Sequence, residues 1–297
     1  MGYLLLLIAS ILWSFVGVMV KSASFMVDSS VITVSRFIFG VVFLYILMLL
    51  KREKRIIYWN QKWIWIGVLG KCCNYIFENI AISNGHAYGN VVVWPVQTIF
   101  IAVISILFFK EAMHIRKGVG IILCITGVVI VSFRGAPLSE FFSSGWLTLV
   151  LFIFSAIGAG VHLLSQKKLI DSMDPGNMNL TVFLFCSIFT SIPLPFTFHL
   201  TGPFSLWPVL SLVGLGFITG LSFYINAKAL KKVPFLTATI ISNSSLLFTL
   251  LWAWLAYGET INAFILFGAV LLVIGIILAN IPDKFKFYLW RVDHGNS

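Results

Sequence analysis

Charged residues are scarce in this chain of 297 residues: they make up 10% of the sequence, whereas hydrophobic residues make up 60%. A soluble globular domain carries about 25% charged residues, which cover the surface that faces water. This chain has less than half of that share, and its mean hydropathy is +1.02. The scarcity of charge excludes an ordinary soluble enzyme.

Catalytic and metal-binding motifs are lacking as well. The four cysteines lie in apolar stretches and form no Cys-x-x-Cys pair, so they predict neither a disulfide framework nor a zinc site. The sequence has no Gly-rich phosphate loop, no acidic pair at metal-binding spacing and no Ser/His/Asp set with a nucleophile elbow. We predict no catalytic residue, no metal and no cofactor, and therefore a protein that is not an enzyme.

Long apolar runs dominate what is present. A helix of about 20 residues crosses a hydrocarbon core of roughly 30 Å, and ten runs of suitable length lie at 3–20, 31–50, 63–82, 88–109, 118–133, 146–165, 179–200, 207–227, 235–257 and 263–281. Continuous apolar runs without alternation favour helices over a barrel, since the backbone must satisfy its own hydrogen bonds in lipid. We predict an all-α integral membrane protein with ten transmembrane helices.

Basic residues are distributed unevenly between the predicted loops. The net charge is +10, and a cytoplasmic N-terminus places most Lys and Arg residues in the inner loops and tail. By the positive-inside rule, this bias predicts a multi-pass protein of the plasma membrane with both termini in the cytoplasm. It explains the basic balance without a nucleic-acid partner. Arg36, inside the second span, is expected to extend to the outer surface as a structural residue.

The two halves of the chain resemble each other at a constant offset of 148 residues. The aligned pairs are Ala81 with Ala229, Glu111 with Glu259, Gly120 with Gly268 and Gly127 with Gly275. Each half has five spans, and five is odd, so the second half enters the membrane from the opposite side. Inverted repeats are typical of secondary transporters, whose binding site lies near the midplane between the repeats.

The repeat predicts the domain organisation. We expect a first five-helix repeat at 1–134, a second, inverted five-helix repeat at 145–282 and a cytoplasmic tail at 283–297. Glu111 should then face the cytoplasm and Glu259 the outside.

Several short motifs carry a resemblance to a known family. They are Trp13-Ser14, Ser35-Arg36-Phe37, Pro95, Phe109-Lys110-Glu111 with Gly120 and Gly127, and Tyr257-Gly258-Glu259 with Gly268 and Gly275. With ten spans in a five-plus-five arrangement, the chain resembles the EamA-type transporters of the drug/metabolite transporter superfamily. The resemblance implies a central cavity lined by the first, third, fourth, sixth, eighth and ninth helices. Its members move amino acids, other metabolites, quaternary amines and drugs.

The third span departs from the family, whose third helix is usually small and apolar. Lys71, Asn74, Tyr75 and Glu78 share one helical face there. An ionisable side chain inside a bilayer costs a few kcal/mol on insertion scales, so each needs a role. One interpretation is a cavity wall on which Lys71 holds a carboxylate of the substrate. The other is a structural ion pair with a neighbouring helix.

Further candidate residues come from the repeat and from depth in the membrane. By the offset, Glu78 aligns with Asn226 and Asn243 with Pro95, and Gln97 lies two residues beyond that proline. We assign Asn226, Asn243 and Gln97 to the substrate cavity.

Aromatic residues and one histidine complete the candidate set. Trp13, Tyr75 and Trp94 lie deep in their spans and suit either a cation-binding wall or plain packing. Tyr224 is a candidate for an inner gate. His162, like Glu78, is a candidate for proton coupling, because imidazole titrates near physiological pH; the alternative is an ordinary hydrogen-bonded histidine.

The leading functional hypothesis is a secondary transporter of a small polar metabolite, such as an amino acid or another carboxylate, by alternating access. Its partners would be the solute, the lipid bilayer and a proton or counter-transported substrate, with the protein as a monomer or homodimer. The alternative is an organic-cation or multidrug exporter, with Glu78 and the deep aromatics binding the cation. An integral-membrane enzyme or a lipid scaffold explains the inverted repeat less well.

Overall fold

Helices make up the fold. The computed structural model describes residues 2–109, 115–133, 135, 145–233, 238 and 241–280. Glu111 and the predicted tail at 283–297 lie outside the described residues. Within them, the one β-type pairing is an isolated antiparallel bridge between Val27 and Leu200. The predicted all-α fold is confirmed.

The helices lie within or close to the predicted spans, but the described helix of the predicted ninth span, 235–257, begins only at Ser245. Those of the first half are α1 Gly2–Ser14, α2 Val16–Ala23, α3 Ser29–Leu50, α4 Lys62–Asn84, a 3-10 helix Ala87–Val92, α5 Val93–Phe109 and α6 Ile115–Phe133. Those of the second half are α7 Trp146–Leu169, α8 Pro175–Ser191, α9 Leu194–Thr197, α10 Leu206–Leu230, α11 Ser245–Tyr257 and α12 Ala263–Asn280. Five described segments are long and apolar enough to cross a membrane, namely Gly2–Ala23, Ser29–Leu50, Ala87–Ile104, Trp146–Leu169 and Leu206–Leu230.

The seventh span is shorter than the predicted range 179–200. Helix α8 ends at Ser191, and the chain continues as the single turn α9 before an extended segment. Pro193 and Pro195 explain this end, because proline has no backbone N–H to continue a helical hydrogen-bond ladder. At the other end, the Asp174 side chain accepts a hydrogen bond from the Gly176 amide at 2.9 Å and caps the helix.

Helices of one half pack mainly on helices of the other half. Helix α4 of the first half packs mainly on α7 and α8, and its repeat counterpart α10 packs mainly on α1, α2 and α3. Helices α6 and α12 pack on each other through two glycine contacts. A Cβ on Gly127 would lie 2.8 Å from the Gly268 carbonyl oxygen, and one on Gly275 would lie 2.7 Å from that of Gly120. The 148-residue offset converts one contact into the other, as a pseudo-two-fold axis requires.

Candidate functional site

A cavity lies between the two halves of the bundle. It encloses about 840 Å³ of space that no protein atom fills, part of it open to solvent. Its lining includes nine of the predicted residues: Trp13, Lys71, Asn74, Tyr75, Glu78, Trp94, Gln97, His162 and Asn226. The other two, Tyr224 and Asn243, are buried but are not among the lining residues, although Ser242 is.

Lys71 is buried against the cavity with only 2% of its surface exposed. Its Nζ donates a hydrogen bond to Asn74 Oδ1 at 2.8 Å and lies 3.9 Å from the ring centroid of Tyr75 and 4.0 Å from that of Phe223. Asn74 in turn donates to Ser155 Oγ on α7 at 2.9 Å. An amide oxygen and two π faces therefore hold the ammonium group.

Arg36 occupies the interior and not the outer surface, so the expectation that it extends outward is wrong. It is 2% exposed, and its Nη1 donates to Glu78 Oε2 at 2.7 Å and to Asn79 Oδ1 at 2.6 Å. Its guanidinium also lies 3.5 Å from the centroid of the Tyr75 ring. The physical reason is that α3 packs against α4, which brings a carboxylate within reach and makes an interior ion pair more favourable than a long extension to water.

The Arg36–Glu78 ion pair accounts for two of the three charged residues that line the cavity in the described chain. The charged lining residues that the structure describes are Arg36, Lys71 and Glu78. Glu78 pairs with Arg36, and in the described chain no carboxylate lies within 4.0 Å of the Lys71 ammonium. Glu78 is therefore engaged in an ion pair with a neighbouring helix, whereas Lys71 lines the cavity with an amide oxygen and aromatic rings as its contacts.

Aromatic rings form one wall of the cavity. The ring centroid of Trp13 lies 5.1 Å from that of Trp94 and 5.1 Å from that of Phe223. Phe223 also contacts Lys71, as described above, and its centroid lies 5.6 Å from that of the His162 ring. Sequence reasoning missed Phe223 as a site residue, although the repeat offset aligns it with Tyr75 and could have found it.

His162 presents a fixed pattern of donor and acceptor atoms. Its Nδ1 lies 3.2 Å from the Gly67 carbonyl oxygen, which can only accept, so Nδ1 carries the proton. Its Nε2 has no hydrogen-bond partner among the described residues, and neither has Oε1 of Gln166, one turn further along α7. The Gln166 amide nitrogen donates to Asn179 Oδ1 at 2.8 Å, which fixes its orientation.

At one end of the bundle, the Glu53 cluster joins the two halves. Glu53 follows α3, and its Oε1 accepts hydrogen bonds from the Tyr224 hydroxyl at 2.5 Å and from Lys228 Nζ at 2.7 Å on α10. Partial burial of Glu53 opposes its ionisation, but the hydrogen bonds from Lys228 and Tyr224 and the nearby ammonium groups outweigh it and lower the Glu53 pKa. Tyr224, the predicted gate residue, belongs to this cluster.

At the opposite end, the Glu259 cluster joins the halves again. Glu259 follows α11, and its two carboxylate oxygens accept hydrogen bonds from the amides of Ala87 at 2.8 Å and Tyr88 at 3.2 Å, at the start of the 3-10 helix. Burial alone would raise its pKa, but the His86 side chain and the two amides lower it overall. Nearby, the Tyr257 hydroxyl donates to the Val18 carbonyl at 2.9 Å.

The described residues contain no group of three or more His, Cys, Asp or Glu side chains placed to hold a metal ion. The polar and aromatic lining groups of the cavity include the Arg36–Glu78 ion pair, the Lys71 ammonium group, amides, an imidazole and aromatic rings. Such a set can bind and orient a small anionic solute through hydrogen bonds and packing.

Comparison with known proteins gives three findings. The model of the EamA-like transporter family matches residues 1–133 and again 146–281. No curated protein matches the chain. Among the solved structures, 27 chains match; one crystal structure is 16% identical in sequence, covers 94% of this chain and 98% of its own, and has a TM-score of 0.70. At that identity the likeness concerns the fold.

Proposed function

The chain belongs to the EamA-like transporter family, and on that premise we propose that it is a secondary transporter of a small metabolite bearing a carboxylate. Family membership and the apolar helices make it a multi-pass membrane transporter of the drug/metabolite type. We propose in addition that the substrate bears a carboxylate and that transport occurs by alternating access. The plasma-membrane location, the cytoplasmic termini and a monomeric or homodimeric state also belong to the proposal.

The single observation that carries the proposal is the environment of Lys71. A buried ammonium group inside a membrane protein is costly unless it has an anionic partner or a wet cavity. Lys71 lines the cavity, and no described carboxylate pairs with it. A carboxylate of the solute would supply the missing countercharge through a charge-assisted hydrogen bond.

The alternative of an organic-cation exporter loses its main support. That hypothesis uses Glu78 as the anionic group that binds the cation, whereas Arg36 engages the Glu78 carboxylate at 2.7 Å. An organic cation entering the cavity would also meet the Lys71 ammonium group. We therefore favour a solute with a negative group at Lys71.

Alternating access is supported by the two clusters between the halves. The Glu53 cluster and the Glu259 cluster each join the first half to the second at one end of the bundle. Opening the cavity toward one end requires breaking the cluster there while the other holds, as expected for inverted repeats that rock around a fixed site.

Because the sequence has no ATP-binding motif, we propose a gradient of protons or of a counter-transported substrate as the energy source. Of the two proton candidates, Glu78 would first have to leave Arg36.

Uptake into proteoliposomes tests the proposal. Purified protein should accumulate labelled small carboxylates and not labelled amines, and the accumulation should follow a proton or counter-substrate gradient without ATP. Protein-free liposomes are the control. Transport of amines alone, or transport that needs ATP inside the liposomes, would contradict the proposal.

A further inference from the structure

We infer that the cavity selects a monoanionic carboxylate carrying an uncharged hydrogen-bond donor, such as a 2-hydroxy acid with an apolar side chain, over the zwitterionic amino acid of the same shape. This inference rests on the proposed carboxylate transport and names its substrate class. Three features of the cavity carry it: its net charge, the tautomer of His162 and the aromatic wall.

The first feature is charge. The described lining residues carry two positive groups and one negative group, and the Arg36–Glu78 pair leaves Lys71 as the excess. A monoanion makes the occupied cavity neutral. A zwitterion leaves one positive charge uncompensated, and an amine leaves two. Burying an uncompensated charge in a medium of low polarity is strongly unfavourable, so the monoanion is preferred.

The second feature is a hydrogen-bond acceptor without a partner. His162 is 2% exposed, and no described carboxylate lies within 4.0 Å of its ring to pair with an imidazolium. With the Nδ1 proton directed at the Gly67 carbonyl, Nε2 is left as an acceptor that no described group satisfies. Gln166 Oε1 is a second such acceptor. A buried acceptor gains from a donor on the solute, and a hydroxyl donates without bringing a charge.

The third feature is the aromatic wall, which lies beside both Lys71 and His162. The Phe223 ring contacts the Lys71 ammonium on α4 and the His162 ring on α7. Lys71 and His162 also line the same cavity, so both residues border the volume that a solute would occupy. Trp13 and Trp94 continue the aromatic wall from Phe223 and suit an apolar or aromatic side chain. A 2-hydroxy acid has its carboxylate and its hydroxyl on adjacent carbons, with the side chain free to meet the rings.

The decisive experiment compares matched solutes on one skeleton. Binding of phenyllactate, phenylpropionate, phenylalanine and phenethylamine to the full-length protein in nanodiscs is measured by calorimetry. A second series, with 2-hydroxyisocaproate, 4-methylpentanoate, leucine and isoamylamine, removes any dependence on the phenyl ring. We expect the hydroxy acid to bind about tenfold more tightly than the amino acid, and roughly threefold to tenfold more tightly than the acid without the hydroxyl.

Two variants assign the preferences to their residues. Lys71→Met should reverse the preference for the monoanion over the amino acid, because the monoanion then leaves one negative charge uncompensated and the zwitterion leaves none. His162→Phe should keep that preference but equalise the hydroxy acid and the acid without the hydroxyl. The ranking of the wild-type protein decides the solute class even if a variant does not fold.

Other orders of binding affinity among these solutes would overturn the inference alone or the proposed function as well. Equal or tighter binding of the amino acid in both series would overturn the inference and leave the proposed carboxylate transport standing. Tightest binding of the amine, or no binding of any carboxylate in either series, would overturn both. Equal binding of the hydroxy acid and the acid without the hydroxyl would remove the role assigned to His162 and overturn the inference in its stated form.

Discussion

Tyr75 and Phe223 are separated by the repeat offset of 148 residues, and their rings lie on the same ammonium group, that of Lys71. The two repeats thus contribute equivalent aromatic side chains to the cavity, although the lysine itself comes only from the first. In the second repeat, Thr219 aligns with Lys71, and its hydroxyl lies 3.0 Å from that of Tyr75. The symmetric scaffold therefore holds an asymmetric site, in which one cation is shared by both halves.

Removing the Lys71 charge should affect binding far more than folding. In Lys71→Met, loss of a charge-assisted hydrogen bond should weaken carboxylate binding by about tenfold to hundredfold, while the melting temperature should stay the same or rise, because an unpaired buried ammonium group is removed. Lys62→Met, an exposed change at the start of the same helix, is the matched control. Calorimetry and thermal unfolding give the two readouts. Normal carboxylate binding by Lys71→Met would contradict this role.

Breaking the Arg36–Glu78 pair should destabilise the protein, and removing both charges should restore most of the loss. Arg36→Met leaves Glu78 as an unpaired buried carboxylate, which costs about 3–5 kcal/mol in comparable cases. The double variant Arg36→Met/Glu78→Leu should unfold nearer to the wild-type temperature. A double-mutant cycle on thermal stability measures the coupling. Additive effects of the two single changes would show that the pair contributes no coupling energy.

Stability should fall in acid partly through Glu259. Its pKa in the folded protein lies below the ordinary value of 4.5, since the His86 side chain and the Ala87 and Tyr88 amides outweigh the effect of burial. A lowered pKa contributes stability that is present above the unfolded-state value and is lost as pH falls through the folded-state value. Between pH 6 and about pH 3, Glu259→Gln should therefore show a flatter melting-temperature profile than the wild type.

Glu53, whose pKa is also lowered, provides a comparison for this pH profile. Glu53→Gln alone should flatten the profile as well, and the double variant Glu53→Gln/Glu259→Gln should be flatter than either. Parallel profiles for the wild type and Glu259→Gln would show that the amide contacts of Glu259 do not stabilise the ionised form.

Weakening the Glu259 cluster should open the cavity toward its own end. A reporter cysteine at Asn90, which lines the cavity beside this cluster, is placed in a background in which the four native cysteines are replaced. Loss of one or two kcal/mol of closing contact should raise its rate of thiol modification by about fivefold to thirtyfold in Glu259→Ala. Glu53→Ala, at the opposite end, should not raise the rate. An unchanged rate in Glu259→Ala would contradict a gating role.

The topology should show the Glu259 end on the outside. Cysteines replacing His86 and Thr201 should react with a membrane-impermeant reagent added to intact cells, and one replacing Lys54 should react only after permeabilisation. The structure supports the grouping, because the Thr201 amide donates to the Met26 carbonyl at 3.0 Å, near the end of the first span. Labelling at 86 or 201 from the cytoplasmic side alone would invert the predicted orientation.

The sequence alone was sufficient for the membrane fold and the repeat. Apolar runs determine helix length, and the bilayer leaves few alternatives to helices. The 148-residue offset aligned Gly120 with Gly268 and Gly127 with Gly275, and the structure brings these glycines into contact between α6 and α12. The helix ends were predicted less accurately. The predicted span at 179–200 runs past Pro193, whereas α8 ends at Ser191, and the proline in the sequence indicates that end.

The partners of the buried charges were decided only by the tertiary structure. The sequence placed Lys71, Asn74, Tyr75 and Glu78 on one helical face, because spacing along a helix is fixed at 3.6 residues per turn. It did not determine which neighbour each of them meets, since that depends on the rotation and crossing of separate helices. Only the packing of α3 on α4 directs Arg36 to Glu78, and only the approach of α10 brings Phe223 to Lys71. Local periodicity thus defined a polar face, and helix packing separated its structural ion pair from the cation that faces the cavity.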